Sequence, residues 1–178
     1  MPRIPYVPAD IAEPKELVEA IRARRGGRLI NLDRILLHSA PLAAAWNVYL
    51  GAIRTKISLS PKLREIAMCG VAILNGAEYE FVHHAPELLK AGGTQAQVDA
   101  LRDPLKAVDS PLFDPAERAA IRLTIEMTRN IVVSDATFAA AQDAIGNTQA
   151  LVELVATIAA YNMVSRFLVA FGVLPEDR

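Results

Sequence analysis

The stretch Leu63–Gly93, LREIAMCGVAILNGAEYEFVHHAPELLKAGG, decides the fold. Up to Leu74 it is apolar nearly all the way round, as a buried central helix requires. Asn75-Gly76 then breaks the helix. The run that follows carries Glu78, Tyr79, Glu80, His83 and His84 within seven residues. At about 100° per residue Glu80 and His84 point almost the same way, and Tyr79 and His83 form a second i,i+4 pair. A carboxylate beside an imidazole has the makings of a proton-transfer site. The same residues would also serve as a solvated helix face. Two members of the first helix are out of character, Glu65 between apolar neighbours and Cys69 one turn further on the same face. Because only Asn75-Gly76 joins the two helices, they must fold back as a hairpin. At about 1.5 Å per residue, Glu65 lies about 15 Å before the break and His84 about 12 Å after it, which brings them level.

Outward from this hairpin, Ser60-Pro61 reads as a helix start, with a capping hydroxyl and a proline at the first helical position. Gly92-Gly93 end the second helix, and Thr94 caps a short one through Leu101. Upstream, residues 1–12 hold three prolines and predict an extended arm, a loose terminus or a strap across a neighbouring subunit. Helices are expected from Glu13 to the arginines before Gly26, from Leu32 to His38 and from Pro41 to Ile53. Downstream, the proline-dense stretch 103–115 reads as a surface connection within one domain. Asp114-Pro115 opens a helix to about Asn130. Ser134 starts another, with Phe138, Ala141 and Ile145 inward. Thr148–Phe171 is long and very apolar, yet Glu153, Asn162 and Arg166 interrupt it, which favours a core or subunit-interface helix over a membrane span. No stretch alternates with period two. The expectation is an all-α fold of seven to nine helices, with residues 13–178 as one domain.

Composition narrows the function. The chain is 52% hydrophobic but only 6% aromatic, so Ala, Leu, Val and Ile build the core and favour helix. A net charge of −1 gives no basic footprint for nucleic acid or an anionic membrane. One cysteine permits neither an intrachain disulfide nor a Cys-x-x-Cys motif. The N-terminal segment lacks the apolar core of a signal peptide, so a cytoplasmic protein is expected.

The segment SPKLREIAMCGVAILNGAEYEFVHHAPELLKAGGTQAQVDAL, with LLHSAPLAAAW before it and AAYNMVSRFLVAFGV near the end, resembles the carboxymuconolactone decarboxylase superfamily, which includes the AhpD-like alkylhydroperoxidases. The resemblance implies an all-helical bundle that assembles as dimers, trimers or hexamers. It also implies a relay in which a glutamate on the helix before the break serves a Cys-x-x-Cys pair and a histidine on the helix after it. Glu65 falls at the glutamate position and His84 at the histidine position. Ala77 and Glu80 stand where the two cysteines would be. A peroxidase that cycles a dithiol needs a nucleophilic and a resolving thiol, and this site has neither. Cys69 reads as a core filler; a one-cysteine peroxidase with an external reductant is the other reading.

An acid–base set remains. The decarboxylase branch removes CO₂ from a carboxylated lactone and moves a double bond, which needs charge stabilisation and a proton donor but no thiol. His84 is then the general acid/base, Glu80 orients it or shares its proton, and Glu65 completes the relay. Tyr79, His83, Asn162, Arg166 and His38 are candidate binding residues. For His83 a subunit interface is the competing role, for His38 a core or interface position, and for Arg166 pairing with an internal carboxylate. Glu80-x-x-x-His84 also has helical metal-ligand spacing, and with Glu65 would suit zinc, iron or manganese. The resemblance implies no metal and no cofactor, and none is expected. The reading against catalysis is an oligomeric small-molecule-binding scaffold. The expected partners are a small-molecule substrate and further copies of the chain.

Overall fold

The computed structural model describes residues 2–176 and is all-α, with no strand among the described residues. Ten helices follow one another: α1 (Lys15–Arg24), α2 (Asn31–Leu36), α3 (Ala40–Thr55), α4 (Pro61–Leu74), α5 (Glu78–Lys90), α6 (Gln95–Ala100), α7 (Pro104–Ala107), α8 (Pro115–Arg129), α9 (Asp135–Ile145) and α10 (Thr148–Phe171). The count exceeds seven to nine because the proline-dense stretch is not simply a surface connection. Asp103-Pro104 starts the one-turn α7, and Ala107, Val108 and Phe113 join the core.

The chain divides into two compact units, one running to Lys56 and resuming at Leu168, the other Ile57–Phe167. In the first, α1 and α2 both pack on α3. Residues 2–12 lie outside any helix and are tied down within this unit. Arg22 donates to the carbonyls of Ala9 and Ile11, Arg34 donates to that of Val7, and the Arg34 guanidinium lies over the Tyr6 ring.

In the second unit α4 packs most extensively on α5 and α8, and α8 on α9. Ile66, Cys69 and Ala72 of α4 meet Phe81 and Leu88 of α5 and Ile121 of α8 in one buried cluster. Close approach of α4 and α8 depends on Gly70, where an added Cβ would stand 3.2 Å from the Thr124 methyl. The α4–α5 turn is a Schellman closure. Gly76 takes φ +66°, its N–H bonds the Ile73 carbonyl, and the Ala77 N–H bonds that of Ala72. Left-handed backbone at that position explains the glycine of the break.

Other helix ends divide between expectation and correction. Thr94 and Asp114 both cap as expected, each in a reciprocal box with Gln97 and Glu117. The Ser60 hydroxyl makes no cap; Pro61 alone marks that start. On α9 only Thr137 and Ala141 are buried, and Phe138 is exposed rather than inward. Helix α10 has an apolar composition on all sides but buries one stripe, Leu151, Leu154, Ile158, Tyr161 and Val164, at three- and four-residue spacing. It is long and apolar enough to cross a membrane, yet half of its most apolar window is buried within the protein.

Candidate active site

The hairpin brings Glu65, Glu80 and His84 together in the second unit. Glu65 stands on the second turn of α4, and Glu80 and His84 lie one turn apart on the inner face of α5. Their residual exposures are 3%, 2% and 6%. The His84 ring lies between the carboxylates, Nδ1 at 2.6 Å from Glu65 Oε2 and Nε2 at 3.3 Å from Glu80 Oε2. The short arm is a charge-assisted hydrogen bond; the long one is an ion-pair contact without hydrogen-bond geometry. Arg64 donates from Nε to Glu65 Oε1 at 3.2 Å. The Tyr161 ring meets the imidazole edge-on, centroids 4.9 Å apart.

Burial alone would lower the His84 pKa, but its contacts with Glu65 and Glu80 outweigh that and hold it above the ordinary 6.5. Burial pushes Glu65 up, and the His84 bond and charge, with help from Arg64, bring it below the ordinary 4.5. The site therefore favours imidazolium between carboxylates, a buried cation whose Nδ1–H faces Glu65 and whose Nε2–H faces Glu80. Its charges sum to near neutrality once Arg64 is included. Cys69 is fully buried in the core cluster, as a filler would be. Burial raises its thiol far above the usual range, and the charges of Glu65 and Glu80 raise it further, only partly offset by Arg102. A thiol so held is not a thiolate nucleophile.

These shifts give stability a defined pH window. The lowered Glu65 contributes stability that is present above pH 4.5 and lost as pH falls through its folded pKa. The raised His84 contributes stability that is complete below pH 6.5 and lost as pH rises through its folded pKa. The pair's contribution should peak between these limits, so the thermal midpoint should decline as pH rises above 6.5 and through the folded pKa of His84. In His84→Gln this decline should be much reduced. An alkaline decline of the same size in both proteins would contradict the assignment.

The remaining candidates fall elsewhere. Tyr79 is buried and stacks on His83, centroids 4.3 Å apart, while His83 Nδ1 donates to the Tyr79 carbonyl at 2.7 Å. Asn162 and Arg166 belong to a polar network at the hairpin turn. Asn75 donates to Asn162 Oδ1 and Ser165 Oγ, Asn162 donates to Thr128 Oγ1, and Arg166 donates to the Asn162 side chain and carbonyl. Arg166 thus pairs with an amide, not with an internal carboxylate. His38, in the first unit, bonds the Pro5 carbonyl at 2.8 Å. Sequence reasoning did not single out Arg64 or Tyr161. Arg64 was signalled by its adjacency to Glu65, whereas a tyrosine in an apolar helix carries no such signal. Both His84 nitrogens are engaged by carboxylates, so a metal would have to displace one of these contacts. Among the described residues no group of three or more His, Cys, Asp or Glu side chains is arranged to hold an ion.

Comparison with known proteins bears on this geometry. The model of the carboxymuconolactone decarboxylase family matches residues 40–126, a segment that contains all three triad residues. No curated protein sequence matches. Solved structures do. The AhpD core of a peroxidase-related protein from Ralstonia eutropha JMP134 superposes with a TM-score of 0.85 at 20% identity, covering 99% of this chain and 93% of that one. A peroxidase-related protein from Silicibacter sp. TM1040 gives 0.80 at 17% identity, covering 97% and 89%. A cysteine-to-alanine variant of the debrominase Bmp8, in complex with 2,3,4-tribromopyrrole, gives 0.79 at 19% identity, covering 95% and 90%. At these identities the likeness establishes the AhpD-like fold.

Proposed function

We propose that this chain is a member of the carboxymuconolactone decarboxylase and AhpD-like superfamily without a Cys-x-x-Cys pair, and that it is an enzyme whose acid–base chemistry runs through His84. The observation that carries this reading is the buried imidazole held between Glu65 and Glu80 at 2.6 and 3.3 Å. The substrate class is a small carboxylated lactone or related organic acid. In decarboxylation the bond to the carboxylate carbon breaks, CO₂ leaves, and the electron pair enters the conjugated system as a dienolate. A proton must then reach carbon. His84 supplies it and recovers it from water, while Glu65 keeps the ring oriented. Glu80, on the longer contact, is the partner that yields when substrate arrives.

The structural neighbours include peroxidase-related proteins and a debrominase, but a buried, protonated Cys69 does not suit a thiol mechanism. The test is a screen of carboxylated enol-lactones, with hydroperoxides and a dithiol reductant run beside them. Lactone turnover should appear, and peroxide consumption should be absent and insensitive to Cys69→Ser. Peroxide consumption that requires Cys69 would restore a peroxidase. One observation favours a non-catalytic scaffold instead: the triad is paired and nearly closed to solvent. No turnover across the screen, together with unchanged ligand binding in His84→Gln, would support the scaffold.

The protein is also proposed to be a homo-oligomer, in the cytoplasm. On α9 and α10 the apolar side chains Phe138, Val152 and Met163 are 44%, 62% and 40% exposed. An apolar groove of about 400 Å³ lies at Phe138, Leu151 and Val152. Apolar surface of this kind is normally covered. Light scattering at micromolar concentration should give at least a dimer; a monomeric mass would count against it.

A further inference from the structure

We propose that a cleft between α8 and α9 is a binding site for a small organic carboxylate with an apolar body, separate from the Glu65–His84–Glu80 triad. The cleft has a volume of about 390 Å³, and none of the triad residues lines it. Its size falls at the lower end of the range for small-molecule sites. Arg118 and Arg122 reach it from successive turns of α8, an i,i+4 pair on one face. The small side chains Ala119, Ala140 and Ala144 leave room between the helices.

Arg118 and Arg122 are like charges at i,i+4, Asp109 is the one carboxylate in the lining, and Glu126 lies within Coulombic reach of Arg122. Asp109 is paired with Arg122 at 3.1 Å, but their side chains are 78% and 49% exposed, so the bond is weak and readily exchanged. Arg118 donates one N–H to the Phe113 carbonyl and is half-buried. A guanidinium has five donors, so that bond leaves its fork able to take a carboxylate. The incoming carboxylate would take the place of Asp109 on Arg122 and engage Arg118, and its apolar body would lie on the alanines. A bare inorganic anion would make the first contact but not the second.

Benzoate is a suitable probe, titrated into the isotopically labelled full-length protein to about 20 mM while amide resonances are followed by NMR. Saturable shifts should cluster at residues 115–122 and 137–144, with a Kd on the order of 1 mM. Two substitutions should act in opposite directions. Arg122→Gln should weaken binding roughly three- to tenfold. Asp109→Asn, which frees Arg122, should tighten it by roughly twofold or more. Arg129→Gln, on the last turn of the same helix, should change nothing. Linear, unsaturated shifts would overturn the site, as would equal shifts from sodium chloride or loss of affinity in Asp109→Asn. The triad is intact in all these variants, so failure here would leave the acid–base reading standing.

Discussion

Replacing Glu65 with alanine should destabilise the protein by about 3–5 kcal/mol, the range found when one partner of a buried ion pair is removed. The cause is specific. His84 is held as a cation between two carboxylates, and its one hydrogen bond to them, 2.6 Å, is to Glu65. Without it the imidazole must either give up its proton or keep a buried charge with only the 3.3 Å contact with Glu80. Arg64 loses its partner at the same time. Denaturant unfolding should register the loss as a lower midpoint with an unchanged slope. Glu65→Gln, which preserves shape and can still bond to the ring, should cost less than alanine. A change below about 1 kcal/mol for Glu65→Ala would mean that the buried pair contributes little to the fold.

The larger catalytic effect should come from His84→Gln. If His84 delivers the proton, its removal should lower kcat by roughly 10²- to 10⁴-fold on whichever lactone is turned over. The fold should survive, because a glutamine amide can donate to one carboxylate and the other can take up a proton. Glu80→Gln should impair turnover less and displace its pH profile, since Glu80 only tunes and releases the imidazolium. Loss of stability in His84→Gln without loss of any activity would instead make the pair a structural one.

Much of this was legible in residues 63–93. The apolar run of α4 had to be buried, and Asn75-Gly76 had to end it. Helical spacing alone put Glu80 beside His84. The Glu65–His84 contact followed from counting rise on either side of the break and from the family resemblance. Other features lie below what spacing can resolve. Ser60 has the chemistry of a cap, but its hydroxyl makes no capping bond. Phe138 is apolar yet exposed, because α9 buries only Thr137 and Ala141 along its length. Helix α10 shows no composition stripe, so its buried face emerges only from its neighbours. Arg64 adjoins Glu65 in sequence, but adjacency alone does not fix that its Nε donates to that carboxylate.

The most direct test of the acid–base assignment is the protonation state of His84, followed through its ring nitrogens by ¹⁵N NMR. At pH 6.5 the ring should be mostly imidazolium, and the transition to neutral imidazole should lie above the ordinary 6.5. Glu65→Gln should move that transition down. A ring that is already neutral at pH 6.5, or that titrates below 6.5 in the intact protein, would contradict the account.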